Sequence, residues 1–338
     1  MSTPRFAPAH FLHGADYNPE QWLAYPHILK EDLRLMPLAG MNVMAIGIFS
    51  WAMLEPSEGD FQFEWLDRIF EDLHRTGIKI ILATPTGARP GWMIDKYPEI
   101  QRVNANRQRQ GFAGRHNHCL TAPTWRELAT AMNRRLAERY GKHPGLLMWH
   151  VSNELDGACH CPLCEKAFQD WLREKYQTLD ALNAAWWTTF WSARYHSWES
   201  IKAPGPNNQW AVSALFLDWN RYVSDQTRDY FQAEIAPLRE LTPGVPLTTN
   251  FHPGGSRDLD YWKFAQLVDV VAWDNYPFWG HHAGGEWQTA VGAAFDFDLM
   301  RSLQQQPFLM LESTPSAANW HPYSTQKPEG LGLLSALQ

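Results

Sequence analysis

Positive charge is scarce in this chain, as are cysteine and long apolar runs. Lysine and arginine total 29 against 36 acidic residues, a net charge of −7. Nucleic-acid binding usually needs a basic patch, so this balance argues against nucleic acid as a partner. No apolar stretch approaches the roughly 20 residues of a membrane span, which argues against a membrane partner. The opening segment Met1-Ser2-Thr3-Pro4-Arg5-Phe6 lacks the basic segment and apolar core of a signal peptide, so the expected location is the cytoplasm. Cysteine occurs only four times, and three of the four crowd into six residues, so no disulfide framework is expected. An apolar fraction of 45% with 19% charged residues excludes a disordered chain.

What the chain has in plenty is tryptophan, 18 residues spread along its length. Aromatic faces stack on the C–H faces of sugar rings, so a carbohydrate site would use some of them. Most are expected in the core, where a Trp side chain buries a large area.

Short apolar runs alternate with stretches of helical periodicity. The strand-like runs are Phe11–Asp16, Val43–Ile48, Ile78–Ala83, Leu146–Val151, Pro246–Asn250, Val268–Trp273 and Phe308–Leu311. Their near-continuous apolar character suits parallel strands covered on both faces. Between them lie helix-like stretches: Glu31–Ala39, Trp65–Arg75, Trp125–Tyr140, Glu165–Tyr176, Leu215–Glu240, Leu259–Gln266 and Ala290–Leu303. Gly40 and Gly77 follow the first two as C-terminal stops. Seven such units predict a TIM (β/α)₈ barrel, whose active site lies at the C-terminal ends of its strands. Residues 1–338 fit one barrel domain with long loops. The chain stops at Gln338, after Gly330–Leu337 reads as the start of helix seven. The barrel is therefore expected to be incomplete, without its eighth strand.

Polar residues collect at the predicted strand ends: Asp16, Asn153, Glu154, Asn250, Asp274, Asn275, Tyr276 and Glu312. Two of these stand out. Leu146–Val151 runs into Ser152-Asn153-Glu154, and Pro307–Leu311 runs into Glu312. Desolvating a carboxylate is costly unless the site uses or neutralises it. A pair at the same end of one parallel sheet is what glycoside hydrolysis requires, an acid and a nucleophile or base. The plainer alternative is that each glutamate sits favourably at the N-terminus of a following helix.

Cys159, Cys161 and Cys164 lie in the loop after Glu154, and Cys119 lies in the long loop after the third strand. Count and spacing fit a four-thiolate tetrahedral zinc site with a structural role, pinning the two loops together. His116, His118 and His160 are alternative ligands, and reduced thiols without a metal are the other alternative.

In these motifs the chain resembles glycoside hydrolase family 42, the β-galactosidases. The stretches that carry the resemblance are Gly14–Trp22, Gly47–Trp51, Trp149–Glu154, the cysteine cluster, Trp273–Pro277, and Glu312–Ser316 with Asn319-Trp320. They run in order along nearly the whole chain. The resemblance implies a retaining enzyme acting on β-galactosides, with Glu154 as acid/base and Glu312 as nucleophile. It implies that Asn153 bonds the sugar hydroxyl next to the anomeric carbon, and that Arg115 holds galactose hydroxyls. It further implies Tyr276 against the nucleophile, Trp320 as the galactose platform, and zinc on Cys119, Cys159, Cys161 and Cys164. Asp16, Trp22, Trp51 and Asp274 are expected near the pocket. Family members continue into a trimer-forming domain and a small β-domain, which these 338 residues are expected not to include, so the homotrimer the family implies is not an expectation for them alone. Two rival readings remain: a related retaining enzyme with another sugar, and a truncated barrel that binds sugar without turnover. In the retaining mechanism Glu154 starts protonated while Glu312 stays ionised.

Overall fold

The computed structural model describes Phe6, Pro8 and residues 10–206, 212–252, 259–277 and 286–313. Its strands, in chain order, are β1 (Gly14–Tyr17), β2 (Val43–Ile46), β3 (Lys79–Ala83), β4 (Leu146–His150), β5 (Leu247–Thr248), β6 (Asn250–Phe251), β7 (Ala272–Asn275) and β8 (Leu309–Ser313). Its helices are α1 (Pro26–Leu38), α2 (Trp51–Leu54), α3 (Glu64–Arg75), α4 (Trp92–Lys96), α5 (Pro123–Tyr140), α6 (Pro162–Tyr176), α7 (Leu179–Ala185), α8 (Ser213–Leu241), α9 (Tyr261–Phe264) and α10 (Glu286–Gln304). Every strand pairing is parallel, in the order β1-β2-β3-β4-β5 and β6-β7-β8. β8 returns beside β1, with Cα pairs within 8 Å but no ladder between them among the described residues. This is the predicted barrel architecture.

Strand periodicity divides the core in two. Met44 and Ile46 of β2 join the large apolar layer between strands and helices, with Ile80, Leu82 and Trp149. Val43 and Ala45, the alternate residues of β2, belong to a second, smaller cluster with Ile81, Met148 and Val270. Leu147, Leu309 and Leu311 pack against that cluster. Alternate side chains of a strand point to opposite faces, so the smaller cluster fills the barrel interior. Gly14 is required where β1 pairs with β2, because a Cβ there would lie 1.7 Å from the Val43 carbonyl oxygen.

Several element boundaries differ from expectation. The fifth strand breaks at Thr249 into β5 and β6, which ladder into different sheets. The sixth begins at Ala272, not Val268. Val268 and Val270 are apolar because they fill the core from a bend, where Asp269 accepts from Leu247 N at 2.9 Å. Leu259–Gln266 shrinks to the single turn α9, and α1 starts five residues early on Pro26, whose fixed φ suits a first helical turn. Gly40 and Gly77 adopt φ of +75° and +83°, as predicted for C-terminal stops. The segment Gly330–Leu337 lies outside the described residues.

Candidate active site

Both strands that lead to the paired glutamates carry an extra residue. Ile80 of β3 faces Leu146 and Ile81 faces Met148, so Leu147 is unpaired on β4. Trp273 of β7 faces Met310 and Asp274 faces Glu312, so Leu311 is unpaired on β8. With strict alternation Leu311 would take the inward place beside Asp274, and Glu312 would point away from the barrel mouth. The bulge returns Glu312 to the inward face, a re-aiming common beside active sites.

Glu154 sits at the mouth with φ of +39°, two residues after Ser152 at +59°. Two neighbouring strands hold this unusual backbone. Ser152 N–H donates to Thr84 Oγ1 at 2.7 Å, and Glu154 N–H donates to Asn250 Oδ1 at 2.7 Å. Thr84 and Thr86 in turn donate to the fully buried Glu234 of α8, the first at 3.2 Å. Burial raises the Glu234 carboxyl above its ordinary range.

Carboxylate oxygens of Glu154, Asp274 and Glu312 all lie within 4.8 Å of one another. Glu312 accepts from Asn250 Nδ2 at 3.1 Å and from the Tyr276 hydroxyl. Asp274 accepts from Asn250 Nδ2 at 2.8 Å. The Arg115 guanidinium pairs with Glu154, Nη2 to Oε2 at 2.5 Å, and His252 Nδ1 stands 3.8 Å from its other oxygen. So many acids in one half-enclosed mouth cannot all ionise freely. Burial, then Glu312 and Glu154, push Asp16 up to about 8. Burial and the same two neighbours hold Asp274 well above the usual carboxylate range. Glu312 is also raised by burial, with the Tyr276 hydroxyl pulling the other way.

Asn153 is 1% exposed. With its amide oriented to suit its neighbours, Oδ1 accepts from Arg115 Nη1 at 2.9 Å and Nδ2 donates to Glu312 Oε1 at 3.1 Å. Glu154, Glu312, Asn153, Arg115 and Tyr276 therefore converge in one place. Trp320 lies outside the described residues. Trp51, expected near the pocket, is instead a core residue: it is 1% exposed, 5.5 Å from the Trp125 ring, with its indole N–H on Glu55. Sequence reasoning passed over Thr84, His150 and His252, and it gave Asn250 no role. The available signal was polarity at alternate positions of an apolar strand, which His150 and Asn250 both show.

The four cysteines are buried and converge. Cys119 Sγ lies 3.5 Å from Cys161 Sγ and 3.5 Å from Cys164 Sγ, and the four sulfurs fall within 4.8 Å of one another. A tetrahedral ion with bonds of about 2.3 Å separates its sulfurs by about 3.8 Å, so the donor set fits a four-thiolate centre. Val103 N–H points at Cys159 Sγ, and Cys164 N–H at Cys161 Sγ. Such donors suit thiolates. His118 stacks on Trp125 and His160 lies against Trp219, and neither these rings nor His116 belong to the four-sulfur cluster. The buried Arg102 joins this centre to the acid loop, its Nη1 donating to Asp156 O at 2.8 Å.

A parallel α/β barrel with paired glutamates at its C-terminal mouth defines the class as a glycoside-hydrolase barrel. The particular family follows from comparison with known proteins: the chain belongs to glycoside hydrolase family 42, described as β-galactosidase, whose model matches residues 16–338. It is 52% identical over 331 residues to β-galactosidase BglY of Alicyclobacillus acidocaldarius, covering 97% of this chain and 47% of that protein. It is also 52% identical over 333 residues to β-galactosidase GanA of Bacillus subtilis, covering 97% and 50%. The structure of a catalytic mutant of Gan42B, a GH42 β-galactosidase from G. stearothermophilus, superposes with a TM-score of 0.95 at 51% identity, covering 99% of this chain and 50% of that one. The chain thus spans about half the length of these relatives. No helix among the described residues is long and apolar enough to cross a membrane.

Proposed function

We propose that the chain is the catalytic barrel of a retaining β-galactosidase that releases terminal non-reducing β-D-galactose from small oligosaccharides. The observation that carries this reading is the closeness of Glu154 and Glu312, with carboxylate oxygens within 4.8 Å. Retaining pairs stand about 5–5.5 Å apart, whereas inverting pairs need about 6.5–9.5 Å to admit a water. Glu312 attacks the anomeric carbon as the bond to the leaving oxygen breaks, and Glu154 gives that oxygen its proton. A galactosyl ester on Glu312 results. Glu154 then takes a proton from water, which attacks the same carbon and frees the Glu312 carboxylate. Two inversions leave the β-anomer.

The surrounding residues fit supporting roles. Tyr276 and Asn153 donate toward Glu312, which favours its ionised form. Asn153 also serves the hydroxyl beside the anomeric carbon. Arg115, half-exposed and paired with Glu154, turns to the galactose hydroxyls when sugar enters, and Trp320 supplies the stacking platform. Cys119, Cys159, Cys161 and Cys164 hold a structural zinc. Four thiolates leave no open position for water, so the ion pins loops and supplies no chemistry. A cytoplasmic location completes the reading.

A panel of nitrophenyl glycosides with NMR of the first-formed product tests the proposal. Preference for the β-galactoside with initial release of β-galactose is expected. Initial release of the α-anomer, or preference for a glucoside, xyloside or mannoside, overturns it.

A further inference from the structure

Asn250 occupies the first position after the break in the fifth barrel strand, where the two sheets part. Its side chain is 1% exposed and fully engaged. Oδ1 accepts from Glu154 N–H at 2.7 Å and meets His150 Nε2 at 3.0 Å. Nδ2 donates to Asp274 Oδ2 at 2.8 Å and to Glu312 Oε1 at 3.1 Å, and it lies 3.0 Å from the Asn153 amide. An amide has two acceptor sites and two N–H donors, so nothing is left over. We propose that Asn250 is the positioning residue that sets the nucleophile against the acid/base, and that His150 fixes which way its amide faces. The inference rests on the roles given above to Glu312 and Glu154.

The reason is geometric. One planar group touches the backbone of the acid and a carboxylate oxygen of the nucleophile, across a seam that no strand ladder among the described residues bridges. Rotating the amide would bring its carbonyl oxygen against two carboxyls and its NH₂ against the Glu154 N–H. His150, completely buried on β4, opposes that rotation by donating from Nε2. Burial lowers the ring to about 4 and keeps it neutral, and the neutral tautomer that suits Asn250 Oδ1 carries its proton on Nε2.

The test reads the ionisation of Glu312, which a purely structural amide would leave alone. The groups that face it are Asp16 from β1, Arg115, Glu154 after β4, His252 after β6, and Asp274 and Tyr276 from β7 and its end. Asn250→Asp, Asn250→Ala, His150→Phe and His150→Gln are prepared in the full chain. The Glu312 carboxyl is followed by carbon-13 NMR against pH, and kcat and KM for nitrophenyl β-galactoside by kinetics. Asn250→Asp places a further acid beside Glu312, so its titration and the acidic limb of kcat/KM should move up by about one pH unit or more. Asn250→Ala should move both in the same direction by less, and lower kcat about 10²-fold with KM little changed, the scale of a small misplacement. His150→Phe should copy Asn250→Ala, and His150→Gln, which can still donate, should restore the profile. Glu312 titrating unchanged in the folded Asn250 variants overturns the inference. If those variants fail to fold, equal behaviour of His150→Phe and His150→Gln overturns it. If the unaltered chain does not hydrolyse the galactoside while the Glu312 titration still moves, the substrate reading fails and the role of Asn250 in holding Glu312 stands.

Discussion

Glu154 follows a strand whose last three residues, Met148–His150, are buried, whereas Glu312 lies in a strand half-buried along its whole length. The first glutamate is held from behind. Its loop is tied by Thr84 and Glu234, by the Arg102 bond to Asp156, and by a cysteine centre that joins it to the loop after β3. The second is held from in front. β7 is its one laddered neighbour among the described residues, and its carboxylate is steadied inside the mouth by Asn250 and Tyr276. Among the described residues, the acid side thus depends on contacts remote from the mouth, and the nucleophile side on hydrogen bonds within the site. Remote changes should therefore act on stability and on the acid, and nearby donors on the nucleophile's ionisation.

The largest effect should separate the glutamates themselves. Glu312→Ala should lower kcat for every β-galactoside by about 10⁴-fold or more. Glu154→Ala should cost about 10²–10⁴-fold with poor leaving groups and far less with dinitrophenyl galactoside, whose leaving oxygen needs no proton. Added azide should give the α-galactosyl azide with the first variant and the β-azide with the second. The reverse pattern would exchange the two roles.

Tyr276→Phe removes one donor from Glu312. A hydrogen bond to a charged group contributes about 1.5–3 kcal/mol, so kcat should fall roughly 10- to 100-fold. The acidic limb of the kcat/KM profile should move upward, because the lost donor had favoured the ionised carboxylate. A fall in kcat with an unmoved limb would assign Tyr276 to shape alone.

On the acid side, Cys119→Ser should reduce bound zinc from about one equivalent to less than half. The midpoint of thermal unfolding should fall by about 5–10 °C, as expected for loss of one structural ligand. The titration of Glu312 should stay in place. Elemental analysis, calorimetry and carboxyl NMR check the three parts, and zinc absent from both proteins would return the cysteines to unliganded thiols.

The last effect concerns Asp16, which is raised in the fold from its ordinary value to about 8. Between those two values the folded chain binds more protons than the unfolded one, so stability declines as pH rises from ~4 towards 8. Asp16→Asn should flatten that decline in urea unfolding measured across the range. An unchanged slope would mean that Asp16 ionises without penalty, and that the mouth is wetter than its burial implies.

The comparison also separates what was legible in the residues from what was not. The closing glutamates were visible because a carboxylate ending an apolar run is a local anomaly with a chemical cost. The cysteine centre was visible because three thiols in six residues have few other uses. Element order followed from periodicity and the glycine stops. The onset of the sixth strand was misjudged, because Val268 and Val270 are apolar for burial in a bend. The partner of Arg115 was beyond reach: it pairs with Glu154, a contact between segments nearly forty residues apart.

By itself the sequence determined the repeated strand–helix plan, the two carboxylates and the four thiols, since each is written in side-chain type and short-range spacing. Only the tertiary structure decided that Leu147 and Leu311 bulge, that the fifth strand breaks at Thr249, and that one amide joins Glu154 to Glu312. Those outcomes depend on the register between strands distant in the chain. Register is a property of paired strands, and a shift of one residue turns a side chain from the helices to the barrel mouth.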